Sequence, residues 1–213
     1  RDFLPQLNIV HKIDMERISI AGQRFLVGAF EKVVIADRIC IAVDSVFSTP
    51  MVYSGVSLWI TVIGYALQIY YDFAGYSNMA IAIAYLFGYE IEENFNLPYL
   101  AKTPSEFWKR WHISLTSWLR EYVYFSLGGS RCSSLRHLFN VMAVFFVSGL
   151  WHGANWTYVV WGMMNGIYQM IGEALMPLRN RAVKLLGLKR ESASHKIMQT
   201  VVTFLLFAFS VTF

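Results

Sequence analysis

Ser148-Gly149-Leu150-Trp151-His152-Gly153-Ala154-Asn155-Trp156 sits in the middle of a run from His137 to Gly172 that holds no Asp, Glu, Lys or Arg. A helix crosses a bilayer in about 20 apolar residues, so this run is too long for one simple span. Gly149, Gly153, Asn155 and Trp156 mark its middle. The run therefore divides there into two helices, and the fold class expected from it is all-α. Inside the run, beyond His137 at its edge, His152 is the one residue that titrates near neutral pH. An ionisable group among apolar neighbours is costly if charged and unpaired. His152 is thus a candidate functional residue. A neutral histidine hydrogen-bonded to a carbonyl of a neighbouring helix is the structural alternative.

Composition agrees with a membrane setting. Hydrophobic residues make up 56% of the chain and charged residues 15%, against roughly 25% charge in soluble domains. The net charge of +4 could point to nucleic acid. Here, however, the basic residues lie between apolar runs, as in the cytoplasmic loops of membrane proteins. The chain opens on Arg1-Asp2-Phe3 without Met and stops in an apolar run at Phe213, which suggests a fragment of a longer polytopic protein. Cys40 and Cys132 are the two cysteines, with no CxxC. They predict neither a disulfide framework nor a zinc site.

Outward from the central run, Ser45 to Tyr71 is uncharged, Asp72 interrupts, and Phe73 to Tyr89 is uncharged again. Tyr71-Asp72-Phe73-Ala74-Gly75 reads as a turn or an irregular break. A last, truncated span is expected over 197–213. The stretch Ile20 to Phe47 carries Arg24, Glu31, Lys32, Asp37 and Arg38, too many charges to face lipid. It reads as an interfacial amphipathic helix or a span packed within protein. Two basic segments remain. Glu90 to Tyr124 holds Lys102, Lys109, Arg110 and Arg120, and the loop expected at 176–196 holds Arg179, Arg181, Lys184, Lys189, Arg190 and Lys196. Span counting puts both on one side, and the positive-inside rule makes that side cytoplasmic. The second cluster could also attract anionic lipid.

Phe107-Trp108-Lys109-Arg110-Trp111-His112 is dense in aromatics and cations. Apolar positions at Trp108, Trp111, Leu115, Trp118 and Leu119 have helical spacing. An interfacial helix or a re-entrant helix lining a cavity would fit. Gly149-x-x-x-Gly153 and Gly162-x-x-x-Gly166 are small-xxx-small patterns that let helices approach closely. His11, His137 and His195 lie beside charged loop residues and are expected to be solvated. Neutral imidazole can take a proton from a hydroxyl at physiological pH, which suits acyl transfer. No serine or cysteine stands in a recognisable nucleophile setting.

Five ordered motifs carry a family likeness: Tyr71 to Ala80, Glu93-Asn94-Phe95-Asn96-Leu97-Pro98-Tyr99, Glu106 to Leu115 continuing into Trp118-Leu119-Arg120-Glu121-Tyr122, Leu127-Gly128-Gly129, and Gly149 to Ala154. Together, over most of Arg1 to Ala174, they resemble the bacterial membrane-bound O-acyltransferases (MBOAT). The nearest branch acetylates alginate, peptidoglycan and related exopolysaccharides, and the teichoic-acid D-alanyl transferases are more distant cousins. Two departures stand out. Arg120-Glu121-Tyr122 replaces the family's usual Arg-Asp-Tyr, and Phe125-Ser126-Leu127-Gly128-Gly129 lacks the proline of Ile-Pro-Leu-Gly-Gly.

The resemblance implies a polytopic helical bundle, multi-pass in a bacterial inner membrane, of which residues 1–213 form part. It implies a catalytic His152, a second family histidine at His112, and a tunnel for which Trp108, Arg110, Trp111, Trp151 and Asn155 are candidate lining residues. The donor would be an acyl thioester or another activated carrier met on the cytoplasmic side, and the acceptor an extracytoplasmic polysaccharide. A periplasmic or extracellular acyltransferase would be the protein partner. No metal, tightly bound cofactor or nucleic acid is expected. A proton-coupled transporter and a non-catalytic scaffold are the rival classes, although no internal repeat suggests a transporter.

Overall fold

The structure is a computed structural model and describes residues 3–9, 11, 14–185, 187 and 192–212. Lys189 and Arg190 of the second basic segment, and Arg1, Asp2 and Phe213 at the ends, lie outside the described residues. The described residues form helices and no strand, with one isolated bridge between Phe95 and Trp111. Two compact units divide the chain, Arg1–Asn94 and Phe95–Phe213.

In the first unit, α1 (Met15–Ala29) starts where the Asp14 carboxylate accepts the Arg17 amide at 2.8 Å, an N-cap that satisfies an otherwise orphaned donor. A π-helical stretch, Phe30–Ala36, carries it on into α2 (Asp37–Ser48). After Ser54 caps it, α3 runs from Gly55 to Leu86, 32 residues without interruption. The turn expected at Tyr71–Gly75 is therefore corrected, and the reason is visible in the packing. Lys32 of the π-helical stretch pairs with the Asp72 carboxylate. Gly75 does not break the helix but lets it approach α1: a Cβ there would stand 2.6 Å from the Gly28 carbonyl oxygen. Three of the charges that seemed to disqualify Ile20 to Phe47, those of Arg24, Glu31 and Lys32, are spent on α3 and its flank. Arg24 donates to Asn78 Oδ1 at 3.0 Å and pairs with Glu93 at 2.5 Å, and Asn78 donates to Glu31 at 2.7 Å.

The second unit opens with a short 3-10 turn, Pro98–Leu100, followed by α4 (Pro104–Trp108) and α5 (Ile113–Leu119). A π-helical stretch, Arg120–Tyr124, leads to α6 (Ser134–His152), α7 (Trp156–Ala174), α8 (Met176–Leu185) and α9 (Ala193–Ser210). The central run thus forms two helices joined by Gly153, Ala154 and Asn155. Residues 176–185 are helical, where a basic loop was expected. The single helical pattern expected from Trp108 to Leu119 is broken at Lys109–His112. There the Asn96 amide donates to the Arg110 carbonyl at 3.0 Å, and His112 takes a left-handed conformation (φ 45°, ψ 56°).

Phe107, Trp111 and Phe207 pack as a buried aromatic core, with the Phe107 and Phe207 rings 4.3 Å apart. None of the three histidines expected in solvent is freely solvated. His137 bridges the Tyr124 hydroxyl at 2.9 Å and Glu173 at 3.0 Å, because antiparallel packing brings the start of α6 to the end of α7. His11 lies edge-on to Tyr89, and His195 is half-buried. Among the described residues one helix, α6, is long and apolar enough to cross a membrane by length and composition.

Candidate active site

Two helix faces converge on one cavity of about 40 Å³. On α6, Val144, Ser148 and His152 are spaced by four, which stacks them on one side of the helix. On the other wall, His112 is followed at helical spacing by Leu115, Thr116 and Leu119 of α5. Trp108 from the end of α4 and Trp111 from the link complete the lining. His112 and His152, 40 residues apart in sequence, therefore face the same small space.

The two histidines differ in setting. His112 is held by its left-handed backbone, which for a bulky residue costs about 1–3 kcal/mol and persists only where the surroundings enforce it. Its ring lies 5.9 Å from Trp151. Burial pushes its pKa down to about 4, and the nearby His152 imidazole adds to the shift, so His112 is a neutral hydrogen-bonding group at physiological pH. His152 is the last residue of α6 and stands at the rim of the cavity, exposed on one side. Enclosure within the apolar run is thus corrected, because the helix ends at His152. Aromatic rings flank it instead: Trp151 and Trp161 each edge-on at 5.0 Å, and Tyr158 stacked at 6.3 Å.

Of the candidate lining residues, Trp108 and Trp111 line this cavity and three lie outside its lining. Arg110 pairs with Glu106 at 2.8 Å and donates to the Asn96 carbonyl at 3.2 Å. Burial works to raise the Glu106 pKa, but the Lys102 amide and the Arg110 guanidinium outweigh it, and the carboxyl is held below its usual range. Trp151 is 58% exposed. Asn155 caps α7 by accepting the Thr157 amide at 3.1 Å. Sequence reasoning missed Ser148, Thr116, Tyr158 and Trp161. The four-residue step from Ser148 to His152 was a usable signal for the first, whereas Trp161 is brought in by the hairpin. No hydrogen bond joins Ser148 to His152 among the described residues. No three His, Cys, Asp or Glu side chains converge among them either.

A cavity walled mainly by apolar and aromatic groups, with two imidazoles facing it, can move a proton and exclude water. It offers no fixed charge to a substrate.

The family model for membrane-bound O-acyltransferases matches residues 10–183. The chain is 40% identical over 176 residues to a probable alginate O-acetylase of Azotobacter vinelandii, covering 82% of this chain and 35% of that one. It is 43% identical over 143 residues to a peptidoglycan O-acetyltransferase of Helicobacter pylori, covering 67% of this chain and 27% of that one. A teichoic acid D-alanyltransferase of Streptococcus thermophilus is 33% identical over 139 residues, covering 59% and 32% respectively. The chain spans about a third of the length of the curated relatives it matches.

Proposed function

The chain belongs to the membrane-bound O-acyltransferase family, and on that premise we propose that it is the site-bearing part of a membrane O-acyltransferase acting on cell-wall or extracellular polymers. The protein is multi-pass in a bacterial inner membrane, with both basic segments on the cytoplasmic side. It takes an acyl group, most simply acetyl, from a thioester or other activated carrier. The acyl group moves toward hydroxyls of an extracytoplasmic polysaccharide, directly or through a periplasmic acyltransferase. The observation that carries this reading is that His112 and His152 line one cavity.

In the step envisaged, the acceptor hydroxyl oxygen attacks the donor carbonyl carbon while His152 takes the hydroxyl proton. The carbon–sulfur bond breaks, and the departing thiolate receives that proton. General-base assistance of this kind is worth about 10²–10⁴ in rate. His112, neutral and able to donate one hydrogen bond, orients the donor or polarises its carbonyl. Because no serine or cysteine stands in a recognisable nucleophile setting in the sequence, direct transfer is favoured over a covalent enzyme intermediate. Trp108 and Trp111 supply walls that keep water from the thioester.

The test is acyl transfer by the intact protein in membranes, with a labelled acyl thioester and a polysaccharide acceptor. Transfer that is abolished when both histidines are replaced supports the enzyme reading. Unchanged transfer through a partner enzyme would make the protein a scaffold. D-alanyl transfer is the second reading, and it rests on the teichoic acid relative. Competition between acetyl and D-alanyl donors separates the two.

A further inference from the structure

The ten residues of α8 carry three exposed cations, Arg179, Arg181 and Lys184. None of them is paired with a carboxylate among the described residues, and the sequence holds no acidic residue between Glu173 and Glu191. The same helix also leaves large apolar side chains outside the protein. Leu178 is 59% exposed and Leu185 is 86% exposed, whereas Val183 is buried. Leu178 and Leu185 are seven residues apart and share one stripe. At about 100° per residue, Val183 lies roughly 150° around the helix from that stripe. One side of α8 is therefore seated on the protein, and the opposite side is apolar and unpartnered. Arg181 and Lys184 flank it on one edge and Arg179 on the other. Topology signals alone account for the cations but not for two leucines aimed away from the protein. Apolar residues bordered by cations with long aliphatic stems are what an interfacial helix presents to an anionic bilayer surface.

We propose that α8 is a docking surface for anionic phospholipid headgroups, lying in the membrane interface with Leu178 and Leu185 among the upper acyl chains and Arg179, Arg181 and Lys184 on the lipid phosphates. This inference stands apart from the acyl-transfer reading, because it concerns how the end of α7 is anchored. The test places a polarity-sensitive fluorophore on Leu185→Cys in the intact protein, with its other cysteines replaced. The protein is reconstituted in nanodiscs of phosphatidylcholine alone or mixed with phosphatidylglycerol. Some lipids carry a nitroxide near the headgroup.

The expected result is blue-shifted emission that the nitroxide lipid quenches, more strongly when phosphatidylglycerol is present. The triple variant Arg179→Gln/Arg181→Gln/Lys184→Gln should lose that dependence, since each cation at an anionic surface is worth about a fivefold preference. Water-like emission in both lipids overturns the proposal. Apolar emission that the nitroxide cannot quench also overturns it, because protein then covers the helix. Quenching equal in both lipids and unchanged in the triple variant overturns the choice of anionic headgroups.

Discussion

Gly162 of α7 lies directly against Gly149 of α6. A Cβ added at Gly162 would stand 3.2 Å from the Gly149 Cα and collide with the Phe145 carbonyl oxygen, and one added at Gly149 would stand 2.5 Å from the Tyr158 carbonyl oxygen. Each glycine costs its helix up to about 1 kcal/mol in propensity. In exchange the two backbones pack closely enough to bring Tyr158 and Trp161 against His152. The aromatic surround of His152 is therefore set by a contact one turn away from its imidazole.

Gly162→Val is expected to push α6 and α7 apart and to destabilise the protein by about 1–3 kcal/mol, the usual cost of overpacking. Gly172→Ala on the same helix is the control, since a Cβ there meets nothing within 4 Å. It should be neutral or slightly stabilising. Thermal unfolding of the detergent-solubilised protein reads both. Equal midpoints for the two variants would show that the close approach is unimportant.

Lys32 and Asp72 answer each other between the π-helical stretch and α3. Lys32→Met leaves the carboxylate without its partner and Asp72→Leu leaves the ammonium. Each single variant is expected to lose about 1 kcal/mol, a modest value because both side chains keep contact with the outside. The double variant Lys32→Met/Asp72→Leu carries neither charge and should recover most of that loss. A double variant as unstable as the sum of the singles would contradict the pairing.

His112 gives a pH dependence with a definite sign. Its folded pKa of about 4 lies below the ordinary value of about 6.5. The folded state therefore holds a neutral ring while the unfolded chain gains a proton. The contribution to stability is intact above about pH 6.5 and is lost as pH falls toward 4. Unfolding midpoints taken between about pH 8 and about pH 4 should fall less steeply for His112→Gln than for the parent. Parallel curves would mean that the ring titrates normally.

The helical class, the division of the central run and the close helix approach signalled by its small residues were legible in the sequence; that Gly149 meets Gly162 was not. They follow from hydropathy and glycine spacing, which act locally. The break at Lys109–His112 was not legible, because Trp108 to Leu119 keeps a helical period while Trp111 is captured by Phe95 from outside the segment. Continuity through Asp72 was hidden for a similar reason: Lys32, the partner that makes the charge tolerable, is 40 residues away. For the site, residue types singled out His152 and His112. That they face one cavity depends on α5 and α6 both lining it, and so do the contributions of Ser148 and Thr116.

The decisive test separates the two imidazoles. His152 stands at the rim, where an acceptor hydroxyl could reach it, and His112 lies deeper, with a neutral ring. If His152 is the base, His152→Ala should lose at least about 10²-fold in acyl transfer while the protein stays folded and inserted. His112→Ala should also impair transfer, but chiefly through donor engagement, so raising the donor concentration should restore part of the rate. A purely structural His152 predicts otherwise. His152→Gln keeps a hydrogen-bonding side chain of similar reach between Trp151 and Trp161, and would then restore both packing and activity. Initial rates in membranes, normalised to folded protein and followed across donor concentration, distinguish these outcomes. Near-normal turnover by His152→Gln would return His152 to a packing role and leave His112 as the candidate to pursue.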